Sequence, residues 1–465
     1  MPDSRTTSPN SAATPPGASP TGPTQPEPTQ PGPHAAPSRR RVLSASAAAV
    51  AAAVAAPVAL ASPASAGAAT AGGSPGRPGL PARPVTWTRL PDIPANVDTW
   101  SPSLPVGAGH WRQVGLAAMV AGVHDDHLIA AGGANFPEPA RTATRENELG
   151  KVYWADAFVL RRRDNTYEWV DRAMRLPDAV AYAATVSTPR GVLVLGGEGY
   201  RGGANGTGQA PLEIFADAYY LRYDTTAGEL VRDDLPDLPR PMSYAVAGVV
   251  DETVFVADGG DVYRLDLRDP DAGWASVEPW PGEPRRVAVG TAQNGRFYVF
   301  SGRSQDADGE WRFHRDGYAY DPRRRRWAQV AELPWCVTAG LAHPVGRDQI
   351  LVVGGDKDLD RWNLIEHHTA LRGQAPAGSA EWHEHNDVVT WLFDHHTGFN
   401  TELLLYDTRR DRWQEIGHYP GSPPATAPAV RWGDDLVVVS GEAGPGIRTP
   451  RVWRASVAPG RSPVA

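Results

Sequence analysis

The sequence is poor in sulfur and in long apolar runs. Its 465 residues include one cysteine, Cys336, so no internal disulfide can form. That is unusual for an oxidising compartment, where disulfides persist, and it suits a chain that folds before it is moved. Cys336 follows Leu333-Pro334-Trp335 with no flanking pattern of a nucleophile, and reads as a small buried apolar group. Beyond residue 66 no segment is apolar for the roughly 20 residues that a membrane-spanning helix needs. Helical periodicity of any length is also missing there. No P-loop or dinucleotide fingerprint is present, because no helix follows the glycines to receive a phosphate. The formal net charge of −8, with both signs interspersed, argues against a protein built around nucleic acid or an anionic membrane. The basic runs at Arg161 to Arg163 and Arg323 to Arg326 each precede a tryptophan after a strand-like segment. Solvated hairpin turns account for both.

The N-terminus has its own composition. Residues 1–37 are rich in Pro, Ser, Thr and Gly, and such a tail cannot bury enough surface to offset the entropy of ordering it. Residues 38–66 run from Ser38-Arg39-Arg40-Arg41-Val42-Leu43 through an Ala/Val-rich stretch to Ala64-Ser65-Ala66. A basic segment, an apolar core and a small-x-small site make an export signal. The paired arginines resemble the twin-arginine type, which carries folded cargo; an ordinary secretory signal and an uncleaved anchor are the competing readings. Residues 67–84 read as a flexible linker. The expected location is extracellular or on the cell envelope, with no stable membrane insertion after processing.

From Trp87 onward one pattern returns. Apolar, β-branched runs end in glycine at Leu128 to Gly133, Val192 to Gly197, Val254 to Gly260, Phe297 to Gly302, Ile350 to Gly355 and Leu436 to Gly441. A second strand with a closing Asp follows most of them, and four repeats then reach Trp169, Trp274, Trp327 or Trp413. Short apolar or alternating runs bounded by Gly, Asp and Pro are strands, and their spacing sits around the kelch period of ≈ 50 with loop insertions. The pattern predicts an all-β, six-bladed kelch-type β-propeller over residues 85–460, with seven blades as the competing count. Tryptophans are expected to fill the space between neighbouring sheets. The last repeat lacks an outer strand, and Val85 to Pro91 is expected to supply it by pairing with the C-terminal strand. An insertion is expected around residues 356–400.

Loops on such scaffolds carry the sites. The most unusual one is Gly441-Glu442-Ala443-Gly444-Pro445-Gly446-Ile447-Arg448-Thr449, a stiff turn holding a carboxylate and a guanidinium. Asn135, Glu198, Arg303, Asp356 and Glu442 all follow glycine marks, so repetition should set them around one cleft; each also fits a hydrogen-bonded turn. His367, His368, His383, His385, His395 and His396 lie in the insertion. His383-Glu384-His385 lacks the His-Glu-x-x-His spacing of a zinc protease. An insertion shaping the mouth of the site is preferred over a metal site.

The loop at Glu442 resembles the Gly-Glu-(Ala/Ile)-x-Pro-Gly-(Leu/Ile)-Arg-Thr signature of N-acetylneuraminate epimerases, kelch propellers also called sialic acid mutarotases. Gly115 to Gly122 with Leu128 to Phe136, and Ala181-Tyr182 leading into Gly196-Gly197-Glu198, are similar to the same family. The blade order matches its cyclically permuted mutarotase group. A departure is the Ala-rich stretch near Ala183, where small Gly-Val-Ser-type residues are common in the family.

The resemblance implies Glu442 as catalytic carboxylate and Arg448 as active-site arginine. The implied reaction interconverts α and β anomers of an acidic sugar, N-acetylneuraminate or a related sialic acid. Ring opening takes a proton from the anomeric hydroxyl and gives one to the ring oxygen. An adjacent guanidinium favours the charged form of the base. Arg448 is a poor acid and is better used to grip a carboxylate. The donor to the ring oxygen is left open between water, a tyrosine and a histidine of residues 383–396. No metal or organic cofactor is required. The other readings are a noncatalytic glycan- or protein-binding kelch propeller and, with less support, a copper oxidase of the galactose oxidase type. A sialidase would show repeated Ser-x-Asp-x-Gly-x-Thr-Trp turns, which are missing.

Overall fold

The structure, a computed structural model, describes residues 85–95, 115–136, 151–164, 166–202, 212–307 and 309–457. The expected polar tail, export signal and linker lie outside the described residues.

Six main sheets carry the architecture, each antiparallel throughout. Sheet 1 orders Val120–His124, His127–Ala131, Asp156–Arg163 and Thr166–Trp169, with Met174–Arg175 beside its third strand. Sheet 2 orders Ala184–Thr188, Gly191–Leu195, Ala218–Asp224 and Glu229–Asp234. Sheet 3 holds Val246–Val250, Thr253–Asp258, Asp261–Asp266 and Ala275–Val277. Sheet 4 holds Val289–Gln293, Arg296–Phe300, Gly317–Asp321 and Arg326–Val330. Sheet 5 holds Leu341–Val345, Gln349–Val353, Glu402–Asp407 and Arg412–His418. Sheet 6 orders Ala429–Trp432, Asp435–Val439, Val452–Val457 and Val85–Leu90. The first and last described strands therefore pair, Val85 opposite Val457 and Leu90 opposite Val452.

The second strand of each sheet is the apolar run that ends in glycine. Gly191–Leu195 and Gln349–Val353 are buried at every residue, because both faces of an interior strand are covered. Fourth strands such as Glu229–Asp234 are polar and half-exposed, which blunts the sheet edge. Apolar clusters fill the space between neighbouring sheets: Val192 and Val194 pack with Ile129 and Val159, and Phe255 packs with Phe297 and Tyr320. The repeat tryptophans reach back to the preceding outer strand. Trp274 Nε1 donates to Pro236 O at 2.8 Å, Trp327 Nε1 to Glu278 O at 2.6 Å, and Trp413 Nε1 to Ala331 O at 2.8 Å. A buried indole N–H requires such an acceptor.

The glycine marks have a steric cause. Gly132 has φ +62, and a Cβ there would lie 2.2 Å from the carbonyl oxygen of Val180 on the chain entering sheet 2. Gly196 repeats this against Met242 O. Both positions need the left-handed backbone and no side chain.

The fold class expected from the sequence, a six-bladed kelch-type β-propeller, is corrected by the sheet topology. Among the described residues the strands form ten separate antiparallel sheets; none of these is closed or curled, and no strand ladder runs from one main sheet to the next. Four of the ten are small sheets at the loop ends, among them Glu442–Gly444 with Ile447–Arg448 and Arg303–Gln305 with Trp311–Phe313.

The expected absence of helices is corrected as well. Helix α1 spans Leu359–Gln374 and helix α2 spans Ala380–Asp394. Their apolar stripe is narrow: Ile365, Val389, Leu392 and Phe393 are the buried apolar residues. The helices instead rely on caps and on each other. Asp358 accepts from the Arg361 N–H at 3.1 Å, and Ser379 Oγ from the Trp382 N–H at 3.1 Å, satisfying amide groups that a helix start leaves unpaired. No helix among the described residues is long and apolar enough to cross a membrane.

Candidate functional site

One residue at the entry to each main sheet has positive φ without being glycine: Ala118 (55), Tyr182 (60), Tyr244 (61), Val287 (49), Ala339 (58) and Thr426 (49). Such conformations cost energy and persist where the surroundings fix them. Here backbone bonds between sheets do so. The Tyr182 N–H donates to Ala118 O at 3.0 Å, Tyr244 to Tyr182 O at 2.9 Å, Ala339 to Val287 O at 2.9 Å, and Thr426 to Ala339 O at 2.7 Å. All of these except Ala118 line the floor of a cavity of about 210 Å³.

The small loop sheets set the walls. Glu442 bridges Ala425, Asp356 bridges Thr338, Arg303 bridges Arg286, and Glu198 pairs with Ala181. The fifth equivalent position is Ala134, which bridges Ala117. Of the predicted ring, Glu442, Arg303 and Asp356 line the cavity, and so does Arg448. Asn135 and Glu198 are not among its lining residues. Asn135 is one residue out of register, and neighbours along a strand face opposite ways. It is fully buried, accepting from Trp154 Nε1 at 2.7 Å and donating Nδ2 to Gly115 O at 3.1 Å. Glu198 is buried and accepts from the Tyr153 hydroxyl at 2.7 Å. Burial, followed by the Glu198 charge, pushes that phenol far above its ordinary range. For these two the hydrogen-bonded turn reading applies.

The pairing of Glu442 with Arg448 across a two-stranded turn follows from the loop's sequence. Gly446, at φ +74, closes the turn, and its N–H donates to Glu442 Oε1 at 2.7 Å. Arg448 Nη1 lies 2.7 Å from the same oxygen. The approach is close but off the hydrogen-bonding direction, since that nitrogen makes no aligned bond, and the contact is an ion pair. The Arg448 side chain is 3% exposed against 20% for Glu442. Burial on its own would lower the guanidinium's pKa, but the Glu442 charge beside it outweighs that and the net shift is upward. Arg448 Nε also points at Ala134 O, 3.4 Å away, and its guanidinium sits 5.2 Å from the Phe136 ring centre.

Asp356 is largely committed. One oxygen accepts from the Asp358 N–H at 2.9 Å, and the other lies 3.6 Å from His396 Nε2. His396 Nδ1 accepts from the Gly398 N–H at 3.0 Å, which places the proton of a neutral ring on the nitrogen facing Asp356. Helices α1 and α2 carry His367, His368, His383 and His385; none of these lines the cavity. His368 and His385 instead meet Nδ1 to Nδ1 at 3.2 Å across the helix pair.

Several cavity residues escaped the residue-by-residue reading. Tyr182 and Tyr244 stack with ring centres 4.0 Å apart. Burial, then the neighbouring Tyr182 and Glu198, raises the Tyr244 phenol well above its ordinary value, so it keeps its proton. Lys151 Nζ donates to the Tyr182 hydroxyl at 3.3 Å. Trp362 of α1 and Phe393 of α2 complete the aromatic wall. The usable signal was positional: Tyr182 and Tyr244 each stand two residues before the first strand of a sheet. The chemistry available is thus two carboxylates, the proton-bearing phenol of Tyr244 and guanidinium groups around a cleft with aromatic walls.

Residues 235–461 match the family model for N-acetylneuraminate epimerase. The stretch contains Arg303, Asp356, Glu442 and Arg448. The chain is 33% identical over 223 residues to an N-acetylneuraminate epimerase of Haemophilus influenzae (strain 86-028NP), covering 46% of this chain and 57% of the relative. It is 31% identical over 228 residues to one from Yersinia enterocolitica serotype O:8 / biotype 1B, covering 47% and 56%. The chain thus spans little more than half the length of these relatives. A solved structure described as "Structure of YjhT" is 25% identical over 49% of this chain and 68% of that one. Its TM-score of 0.41 is too low to carry an argument. These matches support a distant homology to the N-acetylneuraminate epimerase family. The assignment to a cyclically permuted kelch propeller group is corrected to that statement, given the separate open sheets described above.

Proposed function

We propose that this protein is a sugar mutarotase or epimerase that interconverts the anomers of an acidic sugar, with N-acetylneuraminate or a related sialic acid as the substrate. One observation carries the reading: Glu442, ion-paired to Arg448 at 2.7 Å, faces a cavity whose floor presents the stacked phenols of Tyr182 and Tyr244. The homology over residues 235–461 supports the same class of activity.

In this mechanism Glu442 takes the proton of the anomeric hydroxyl. The hydroxyl oxygen becomes a carbonyl oxygen as the bond between the anomeric carbon and the ring oxygen breaks. A phenol, assigned to Tyr244, protonates the departing ring oxygen. Rotation about the former ring bond between the carbonyl carbon and its neighbouring chain carbon presents the other carbonyl face. The ring hydroxyl then attacks, returning its proton to the tyrosinate while Glu442 reprotonates the new anomeric oxygen. Arg448 stays protonated beside Glu442 and orients it. Each positioned acid or base of this kind contributes about 10²- to 10⁴-fold. Export by the twin-arginine route belongs to the same proposal and would deliver the folded enzyme to free sugar outside the cytoplasm.

The test is the relaxation of enzymatically released α-N-acetylneuraminate to its anomeric equilibrium, followed by proton NMR. Wild-type protein is expected to accelerate it, and Glu442→Gln to reduce the acceleration by about 10²-fold or more while the protein stays folded. A wild-type protein that accelerates neither this sugar nor a panel of neutral aldoses refutes the proposal. A noncatalytic glycan binder would bind without accelerating.

A further inference from the structure

Among the described residues three cationic side chains border the cavity, and two of them are engaged. Arg448 is paired with Glu442, and Lys151 donates to Tyr182. Arg303 differs. Among the described residues no carboxylate lies in ion-pair range of it, and no side-chain acceptor takes its N–H groups. Its guanidinium is instead clamped between two indoles, 4.4 Å from the Trp311 ring centre and 4.2 Å from that of Trp362. Stacking on indole faces holds a guanidinium while leaving its in-plane donors free.

The clamp is built from two parts of the chain. Arg303 and Trp311 are diagonal neighbours in the small sheet of Arg303–Gln305 and Trp311–Phe313, where Arg303 pairs with Phe313 and Trp311 with Gln305. Trp362 comes from the first turn of α1. The neighbouring Asn363 pins that turn to the strand: its Oδ1 accepts from the Trp311 N–H at 3.2 Å, and its Nδ2 donates to Trp311 O at 3.4 Å. Arg361 ties the same turn to α2 by donating Nη1 to Leu392 O at 3.0 Å. The clamp is therefore positioned before any ligand arrives. Burial lowers the pKa of Arg303, so the site charges this group at some cost and an incoming anion relieves it.

We infer that Arg303, held between Trp311 and Trp362, is the group that recognises the ligand's carboxylate, and that the α1–α2 hairpin is thereby part of the ligand site. The inference rests on the proposal that the cavity takes a sugar acid. It makes Arg303 the residue that sets preference for acidic over neutral sugars, and leaves Arg448 to orient Glu442. The five donors of a guanidinium suit a two-pronged contact with a carboxylate, which a neutral ester cannot match.

The experiment compares binding of N-acetylneuraminate and of its methyl ester by isothermal titration. Wild-type protein is expected to bind the acid roughly 10- to 100-fold more tightly than the ester, as loss of a charge-assisted contact implies. Arg303→Gln should bind the two alike, and Arg303→Lys should keep part of the preference. Trp362→Ala should weaken the acid more than the ester, with Trp362→Phe restoring most of the difference. Should Arg303→Gln fail to fold, the lysine variant and the two Trp362 variants carry the test. Equal binding of acid and ester by the wild type overturns the inference, as does a preference that survives in Arg303→Gln or no binding of either. Preference without anomer equilibration refutes the mutarotase proposal and leaves this inference standing. Equilibration of neutral sugars with no preference for acid does the reverse.

Discussion

At the scale of single residues, assignments depend on which side chains still have something to give. Tyr244 is buried with a strongly raised phenol, whereas the Tyr182 hydroxyl receives a hydrogen bond from Lys151. Tyr244→Phe is therefore expected to lower kcat by about 10²-fold, the smaller end of general-acid effects, and Tyr182→Phe to lower it less. The opposite order in anomerisation kinetics would move the donor role to Tyr182. His343 offers a stability test away from the chemistry. It is 1% exposed, and burial, with Arg431 nearby, pushes its pKa down to about 3. The unfolded chain binds this proton near the ordinary value of 6.5, the native one only near 3, so between those values the unfolded state holds more protons. Stability supplied by the neutral ring is complete above about pH 6.5 and is lost as pH falls toward 3, at up to about 1.4 kcal/mol per pH unit. Urea titrations from pH 7 to 4 should show this slope in the wild type and a flatter one in His343→Leu.

The loop of Glu442 and Arg448 was legible at this scale because glycine and proline restrict the backbone enough for spacing to imply geometry. Asn135 was misplaced because counting from a glycine pair has two origins. The alanine between Gly133 and Asn135 takes the bridging position equivalent to that of Glu442, opposite Ala117, and strand alternation turns Asn135 toward Trp154. The value of Arg303 lay beyond sequence reading, since its partners are 8 and 59 residues further along the chain, at Trp311 and Trp362.

Among elements, strands were easier to read than helices. A buried second strand such as Gly191–Leu195 is a continuous β-branched and aliphatic run with glycine after it, and that signature needs no context. Helices α1 and α2 bury few apolar residues, and each covers its narrow stripe with the other, so periodicity alone was too weak to show them. The caps at Asp358 and Ser379 were the available signal. Asp358→Ala removes the cap and its contact with Arg361, and should cost about 1 kcal/mol. Hydrogen exchange is the appropriate probe: faster exchange confined to residues 359–394 is expected, and unchanged exchange there would mean that the cap contributes nothing. Because Trp362 lies one turn in, the same variant should also weaken binding of an acidic sugar.

At the scale of the molecule, repetition predicted the four-stranded units and the pairing of the strand at Val85 with the last strand, but not how the strands divide. Small loop sheets form beside the main ones where the cavity residues sit, and every sheet stays open. The pairing of the strand at Val85 is where stability of the whole can be probed. Leu90 is 3% exposed and packs with Val437, Val439 and Val452. Leu90→Ala is expected to cost about 2–5 kcal/mol, read as a lower midpoint in urea with an unchanged slope; a cost below about 0.5 kcal/mol would mean the terminal strand is dispensable.

The proposed mutarotation requires Glu442 to move a proton at the anomeric oxygen, and exchange NMR at equilibrium sees the resulting interconversion directly. With catalytic protein and N-acetylneuraminate, two-dimensional exchange spectra should show cross-peaks linking the H3 signals of the α and β forms, and these should vanish with Glu442→Gln. Absence of cross-peaks with the wild type, or their survival at equal intensity in the variant, would contradict it.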